Sequence, residues 1–291
     1  MQSIDPKPLV SIIIRTKNEE RWIAPCLRAV YNQNYENIEV IIVDNCSTDQ
    51  TLQLISSFPV KLISINKFIP GKAINDGIRA SKGEYIVILS GHCVPTNAYW
   101  LTSLVDKLAN PEIAGVYGRQ VPLPYTSDLD KRDLLTVFGL DPKIQIKDSF
   151  FHNANSALTR KTWEELPFDE EVTNIEDRVW GVEVIKRGLK IAYEPEAGVY
   201  HWHGINHDLN PERAKKIVKI LETLDGLSSS TPIYKDISIK SGDLFVNGEN
   251  IRKIKRRHTP FFRRKIGMVF QDYRLISDRT VYENIALPLH I

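Results

Sequence analysis

The side chains able to do chemistry collect where apolar runs stop. Thr16, Lys17 and Asn18 follow Leu9 to Ile14, and Asp44 closes Ile38 to Val43 ahead of Asn45, Cys46, Ser47, Thr48 and Asp49. Asp44 can accept N–H donors from a ligand; taken alone, it reads as an Asx-turn after a strand. Ser90, Gly91, His92 and Cys93 follow Tyr85 to Leu89 in the same manner. Two more imidazoles lie in Tyr200-His201-Trp202-His203; reading them as alternating along a strand lets one of the two face a site. Glu176 and Asp177 open a helical pattern. A carboxylate there can take a proton from an attacking hydroxyl, or it can simply suit the helix dipole.

These residues need a scaffold, and the apolar pattern supplies one. Leu9 to Ile14, a helix bearing Trp22, Ile23, Cys26, Leu27, Val30 and Tyr31, and Ile38 to Val43 form a βαβ unit. Nearly all-apolar strands are those covered on both faces. In open α/β sheets, ligands bind where such strands end. A short helix through Leu52, Leu54 and Ile55, a strand Val60 to Ile65, a turn at Pro70-Gly71, a helix Lys72 to Ser81 and a strand Tyr85 to Leu89 continue the pattern. Asn97 is placed to cap a helix carrying Trp100, Leu101, Leu104, Val105 and Leu108; Ile113 to Arg119 is a further strand. Residues 120–149, with Pro122, Pro124 and Pro142, read as a long functional loop. Strands are expected over Phe150 to Leu158, Lys190 to Tyr193 and Ala197 to His203, with a helix from near Ile175 to Gly188.

The motifs Thr16-Lys17-Asn18-Glu19 and Val43-Asp44-x-x-Ser47-x-Asp49 resemble the nucleotide-binding half of family 2 glycosyltransferases, inverting enzymes with the GT-A fold. The resemblance extends to about Leu224. It implies an α/β fold with a mostly parallel sheet flanked by helices, and transfer of a sugar from a nucleoside-diphosphate donor. Asp44 would then hydrogen-bond the nucleobase, accepting from the imide of uracil or thymine or from guanine. Thr16 and Asn18 would line the same pocket, Lys72 would lie near base and phosphates, and Asn75 would be structural.

The family usually places Asp-x-Asp where this chain has Ser90-Gly91-His92. Hard cations prefer several oxygen ligands, so the resemblance points to Mn²⁺ over Mg²⁺ if a divalent metal is used, with His92 and one of His201 and His203 as ligands. Otherwise Ser90 and His92 would serve the donor as hydrogen-bonding groups. Asn153 and Asn155 of Phe151-His152-Asn153-Ala154-Asn155-Ser156-Ala157 are read as sharing a strand face on the acceptor side. A buried amide pair is the other reading. Trp180 and Trp202 could stack on a sugar or be buried. Within Asn174-Ile175-Glu176-Asp177-Arg178-Val179-Trp180, the resemblance makes Asp177 the base and Glu176 its substitute. The Leu89-Ser90-Gly91-His92 variant is similar to bacterial enzymes of surface-polysaccharide synthesis, which implies a saccharide or lipid-linked saccharide acceptor.

The last part of the chain differs. From Gly226 onward there are 12 Lys/Arg and 6 Asp/Glu, against 26 and 30 before it. Gly226 to Thr231 reads as a linker, within a junction over 226–240. Residues 241–291 resemble the ATPase subunit of the bacterial cell-division ABC transporter. Val269-Phe270-Gln271-Asp272 stands as its Q-loop, followed by Val281-Tyr282-Glu283-Asn284. No G-x-x-x-x-G-K-[ST] precedes it and no signature or Walker B motif follows, so ATP hydrolysis is not expected. A fusion, recombinant junction or chimera is the simplest account.

The whole chain, 291 residues with 42% apolar and 25% charged, has globular composition and a net charge of +2. No apolar run reaches transmembrane length and no signal peptide is read at the start. Three cysteines without a C-x-x-C pair suit a reduced, cytoplasmic protein. No nucleic-acid partner is expected; contact with the inner face of a membrane and self-association stay open. Two other readings remain: a non-catalytic sugar-nucleotide-binding protein, suggested by the altered Asp-x-Asp, and an ABC-type nucleotide hydrolase.

Overall fold

The computed structural model describes residues 7–203 and, further on, 245–246, 249–250, 253–255 and 258. The chain divides into two compact units, Met1–Ser228 and Ser229–Ile291. The linker at 226–231 and the Q-loop lie outside the described residues.

The first unit is built on a nine-stranded sheet. Its parallel half contains β1 (Val10–Thr16), β2 (Ile38–Asp44), β3 (Lys61–Ser64) and β4 (Tyr85–Ser90), in the order β3-β2-β1-β4. The helices between them are α1 (Ile23–Tyr31), α2 (Thr51–Ile55) and α3 (Pro70–Arg79). The register pairs Thr16 with Asp44 and Arg15 with Ser90, so the polar strand ends come level at one edge. Side chains alternate across β1: Val10, Ile12 and Ile14 pack with Ile23, Leu27 and Val30 of α1, while Ile13 packs with Ile74 and Ile78 of α3. This is a helix–sheet–helix sandwich with a core on each face.

The second half is less regular. It contains β5 (Val94–Pro95), α4 (Trp100–Lys107), β6 (Ile113–Pro122), α5 (Asp128–Val137), β7 (Lys143–Gln145), β8 (Asn155–Thr159), α6 (Arg160–Glu165), α7 (Glu176–Lys186) and β9 (Lys190–His201). β8 runs antiparallel between β4 and β6, and β9 runs parallel to β6. Joined this way, β4, β8, β6 and β9 extend one sheet past the parallel half. In the second unit, β10 (Phe245–Val246) and β11 (Glu249–Asn250) form a short antiparallel pair.

Several expectations are corrected. Pro70-Gly71 is the first turn of α3, because proline at N1 gives up an N–H the helix does not need. Asn97 does not cap α4; Tyr99 is the flanking residue, and Asn97 Oδ1 accepts from Tyr99 N in an Asx-turn. The stretch 120–149 is not all loop: Ser127 accepts from the Asp130 N–H to cap α5, and β7 pairs with β9. The two strands expected over 190–203 are one, ending at His201, with extra residues between Glu194 and Val199 where the register against Gly118 and Gln120 shifts. The strand expected from Phe150 starts only at Asn155. Asn153 therefore lies in the turn before β8 and does not share a strand face with Asn155.

Candidate active site

On the β1–β2 side, the expected donor residues bind one another. Thr16 Oγ1 donates to Asp44 Oδ1 at 2.9 Å, and Ser47 Oγ donates to the same oxygen at 2.5 Å. The Ser47 N–H donates to Asp44 Oδ2 at 2.9 Å, so the carboxylate closes the turn three residues on. Asp44 is fully buried. Asn18 has a φ of 54°, a left-handed conformation that asparagine tolerates, and its Oδ1 accepts from Thr48 N at 2.8 Å. The loops after β1 and β2 are thus tied by Asn18, Ser47 and Asp44. Lys72, at the start of α3, pairs with Asp76 at 2.7 Å on an exposed surface, an ordinary i,i+4 contact. Asn75 is buried and structural, donating to Phe168 O and accepting from the Trp163 indole.

Beyond β4 the chain turns close to β1. A Cβ at Gly91 would lie 2.9 Å from Thr16 Cγ2 and 3.1 Å from Arg15 O. Only glycine allows this approach without displacement. The turn carries Ser90 and delivers His92. His92 Nδ1 lies 2.7 Å from Glu19 Oε1, so this nitrogen holds the proton and donates to the carboxylate. His92 Nε2 is then left 3.1 Å from His201 Nε2.

The rings of His92 and His201 stack at 5.0 Å, and His203 lies 4.8 Å from His92 and 4.3 Å from His201. The choice between His201 and His203 is corrected: β9 ends at His201, and His203, in the bend after it, also meets His92. Potential ligand atoms of His92, Cys93 and His201 all lie within 4.8 Å of one another. Two imidazoles and a thiol suit a borderline transition metal, and Glu19 orients His92 as carboxylates orient metal-binding histidines. The set offers too few oxygens for Mg²⁺.

The other side of the site is the start of α7. Ile175, before it, has a φ of 54°. For a β-branched residue this is a strained conformation, costing about 1–3 kcal/mol, and it turns the chain so that Glu176 and Asp177 open the helix. Glu176 is buried and Asp177 half-buried. Arg15 Nη1 donates to Glu176 Oε1 at 3.1 Å, and Asn153 Nδ2 donates to the same atom at 3.2 Å. Asp177 Oδ2 accepts from Asn153 N at 3.2 Å and Oδ1 from Arg178 N at 2.8 Å. Burial first, and then the neighbouring Asp177, raises the Glu176 pKa; burial also raises that of Asp177, with N–H donors and Arg15 opposing. A carboxylate raised in this way is a better proton acceptor near neutral pH.

Asn153 thus braces both carboxylates. Asn155 serves the core instead: its Oδ1 accepts from Trp100 Nε1 at 2.9 Å and its Nδ2 donates to Ala197 O at 2.7 Å. Trp180 does not face the site. It is buried against Phe151 and Phe168, and its indole donates to Leu166 O. Trp202 is 37% exposed.

Arg15, Glu19 and His152 were not singled out from the sequence. Glu19 is the last residue of the Thr16-Lys17-Asn18-Glu19 motif, where it was given no role; Arg15 precedes that motif, and its charge at a strand end was the available signal. His152 Nδ1 lies 3.0 Å from Gln120 Nε2 and 3.3 Å from Ala154 N, so it accepts; burial lowers its pKa to about 4. It lies within the Phe151 to Ala157 motif, but only Asn153 and Asn155 were read from it.

With this geometry in view, comparisons place the chain. The sequence model for "Glycosyl transferase family 2" matches residues 11–166. A dolichyl N-acetyl-α-D-glucosaminyl phosphate 3-β-D-2,3-diacetamido-2,3-dideoxy-β-D-glucuronosyltransferase from Methanococcus voltae is 27% identical over 208 residues, 64% of each chain, so the present chain spans less than two thirds of that relative. The Escherichia coli cell division ATP-binding protein FtsE is 51% identical over 51 residues, 18% of this chain and 23% of its own.

Among solved structures, the fold is similar to the mannosyltransferase PcManGT from Pyrobaculum calidifontis in complex with GDP-Man and Mn²⁺. The TM-score is 0.60 at 22% identity, covering 76% of this chain and 66% of that one. S. aureus TarS 1-349 in complex with UDP-GlcNAc gives a TM-score of 0.56 at 17% identity, over 77% and 68%. These likenesses are of fold, and the fold is GT-A. Among the described residues, no helix is long and apolar enough to cross a membrane. With its family match over more than half its length, the chain belongs to glycosyl transferase family 2.

Proposed function

We propose that the first unit moves a glycosyl group, with inversion, from a nucleoside-diphosphate sugar to a hydroxyl of a saccharide or lipid-linked saccharide in bacterial surface-polysaccharide synthesis. The observation that carries this reading is the carboxylate pair at the start of α7, braced by Arg15 of β1 and by Asn153. The acceptor oxygen attacks the anomeric carbon as the bond to the diphosphate breaks. Its proton passes to Asp177, and the leaving diphosphate departs on the opposite face. The similarity to sugar-nucleotide enzymes supports a donor held near Thr16, Asn18 and Asp44, with Lys72, Ser90 and His92 along its phosphates. Asp44, buried in its own turn, would meet a base only if the loop over 45–48 moves.

A divalent cation, Mn²⁺ over Mg²⁺, would be held by His92, His201 and His203; when bound, it supplies positive charge for the leaving diphosphate. The second unit is read as a segment similar to an ABC ATPase, joined to an unrelated enzyme. No hydrolytic role is assigned to it, since no phosphate-binding G-x-x-x-x-G-K-[ST] loop precedes Gln271.

The altered Asp-x-Asp favours one other reading, sugar-nucleotide binding without transfer. A screen of UDP-, dTDP-, GDP- and CMP-linked sugars separates the two. A donor at a hundred times its Kd stabilises the fold by about 2.7 kcal/mol, visible as a raised Tm. Transfer predicts nucleotide release from that donor, stronger with Mn²⁺ than with Mg²⁺. A raised Tm without release under any metal condition favours the binding protein, and no shift with any donor removes both readings.

A further inference from the structure

We infer that Arg15 is a positioning residue that divides the labour of the two adjacent carboxylates, fixing Glu176 as an anionic anchor and leaving Asp177 as the proton acceptor. The inference rests on the reading of Asp177 as the base. Arg15 stands at the end of a donor-side strand, yet its guanidinium crosses to the acceptor side. Nη1 donates to Glu176, and Nη2 donates at 3.2 Å to the Asn153 carbonyl. Asn153 in turn donates its side-chain amide to Glu176 and its backbone N–H to Asp177. One fork therefore clamps both the anchor and the turn that aims the base. Glu176, buried beneath two donors on one oxygen, is spent on structure. Among the described residues, Asp177 receives only neutral backbone donors, and it is the more exposed of the pair.

The charge matters as much as the fork. Two neighbouring carboxylates in a dry site repel each other and favour protonation, and a protonated pair contains no base. Among the described residues, the charged and titratable groups facing them are Arg15 from β1, Arg178 from α7 and His152 from the turn before β8. His152 is neutral at pH 7 because burial lowers its pKa to about 4. Arg15 is the cation that touches the pair directly. Lysine could supply the charge but not two parallel donors.

The test uses the full-length chain labelled with ¹³C at Asp and Glu carboxyls. The Glu176 and Asp177 midpoints are followed by NMR in wild type, Arg15→Ala and Arg15→Lys. Removing the cation should raise the midpoints by about one unit or more, and Arg15→Lys should raise them less. In nucleotide release from the donor that wild type turns over, the acid limb of kcat/KM should move up with the midpoints while donor affinity stays. Arg15→Lys should restore the limb but not the turnover.

Unmoved midpoints in Arg15→Ala, with wild type active, overturn the inference. Moved midpoints with no release by wild type from any donor would uphold the positioning and remove the function it rests on. If Arg15→Ala does not fold, Glu176→Gln carries the test. It should lower the Asp177 midpoint and keep at least a tenth of the turnover; loss as complete as in Asp177→Asn would overturn the division of labour.

Discussion

At the ends of β1 and β2, side chains tie the loops of two adjacent parallel strands to each other. Asp44 takes the Ser47 N–H and hydroxyl, Asn18 takes the Thr48 N–H, and Thr16 completes the knot. At the start of α7, the contacts join three segments: β1, the turn before β8 and the helix itself. Arg15 reaches Glu176 across 161 positions, and Asn153 reaches Glu176 and Asp177 across 23 and 24. The knot needs only β1 and β2, the neighbours that one βαβ unit pairs, across 28 and 30 positions. A cross-braced pair exists only once the sheet has brought β1, the turn before β8 and α7 together. The donor side should therefore tolerate single changes better than the acceptor side.

The largest effect should come from Asp177→Asn, which keeps shape and backbone contacts but cannot take a proton. Turnover should fall about 10²–10⁴-fold with donor affinity unchanged. Retention of more than a tenth of the turnover would move the base elsewhere and dissolve the contrast.

Next is Asn155→Ala. Because this amide satisfies the Trp100 indole and the Ala197 carbonyl, its loss should cost about 3 kcal/mol of stability. Denaturant unfolding should show it, with the KM of the remaining folded enzyme unchanged. A change in acceptor KM without loss of stability would return Asn155 to the acceptor.

Asp44→Ala should cost about 1–3 kcal/mol in donor binding, by freeing the loop as much as by removing a carboxylate. Calorimetry on folded protein decides. Unchanged affinity would show that the knot is not part of a nucleotide pocket.

The pH dependence of stability comes after these. His152 has a folded pKa of about 4, below its unfolded value, so between about 6.5 and 4 the unfolded chain binds the extra proton. Stability from this group is present above the unfolded pKa and lost as pH falls through the window. Glu176 and Asp177, with raised values, give the opposite slope: their contribution is greatest at low pH and falls as pH rises through their folded pKa. His152→Gln should therefore flatten the acid-side loss by roughly 1–2 kcal/mol in urea melts at successive pH values. An unaltered slope would mean that His152 is solvated.

The same contrast explains what the sequence disclosed. The parallel half was legible, because β1, α1, β2 and β4 each carry a periodic apolar pattern ending in polar residues. Thr16, Asn18 and Asp44 followed from those ends. The second half was not, because β8 inserts antiparallel between β4 and β6, a pairing set by distant partners. Phe151 and Asn153 look like strand residues yet sit in an irregular turn held by side chains. Trp180 looked available for a sugar because its helix opens the site, but a buried aromatic cluster claims it. His201 and His203 were set against each other as residues of one strand, but the strand ends at His201 and the bend after it brings His203 to the same ring. Arg15 gave only its charge at a strand end, since its partner lies 161 positions away.

The smallest expected effect tests the boundary of the donor side. Lys72 stands where the family resemblance puts a residue near base and phosphates, at the start of α3. In the structure its ammonium pairs with Asp76 at 2.7 Å, and the side chain is 47% exposed. Asp76 keeps a second partner in Arg79, at 2.9 Å, so it does not lose its only cation when Lys72 is removed. An exposed i,i+4 pair contributes about 0.3–0.5 kcal/mol, and salt screens it further. Lys72→Ala should therefore leave the Tm almost unchanged, with the small difference disappearing at high salt. Donor affinity is the sharper measure. A lysine confined to its helix surface leaves affinity unaltered, whereas one that swings from Asp76 to a diphosphate would lose a charge-assisted bond of about 1.5–3 kcal/mol. Calorimetric titration of wild type and Lys72→Ala with the donor found by the screen separates these. A tenfold or larger loss would extend the donor site from the strand ends to α3, and would show that this side too depends on a contact formed only when the ligand is bound.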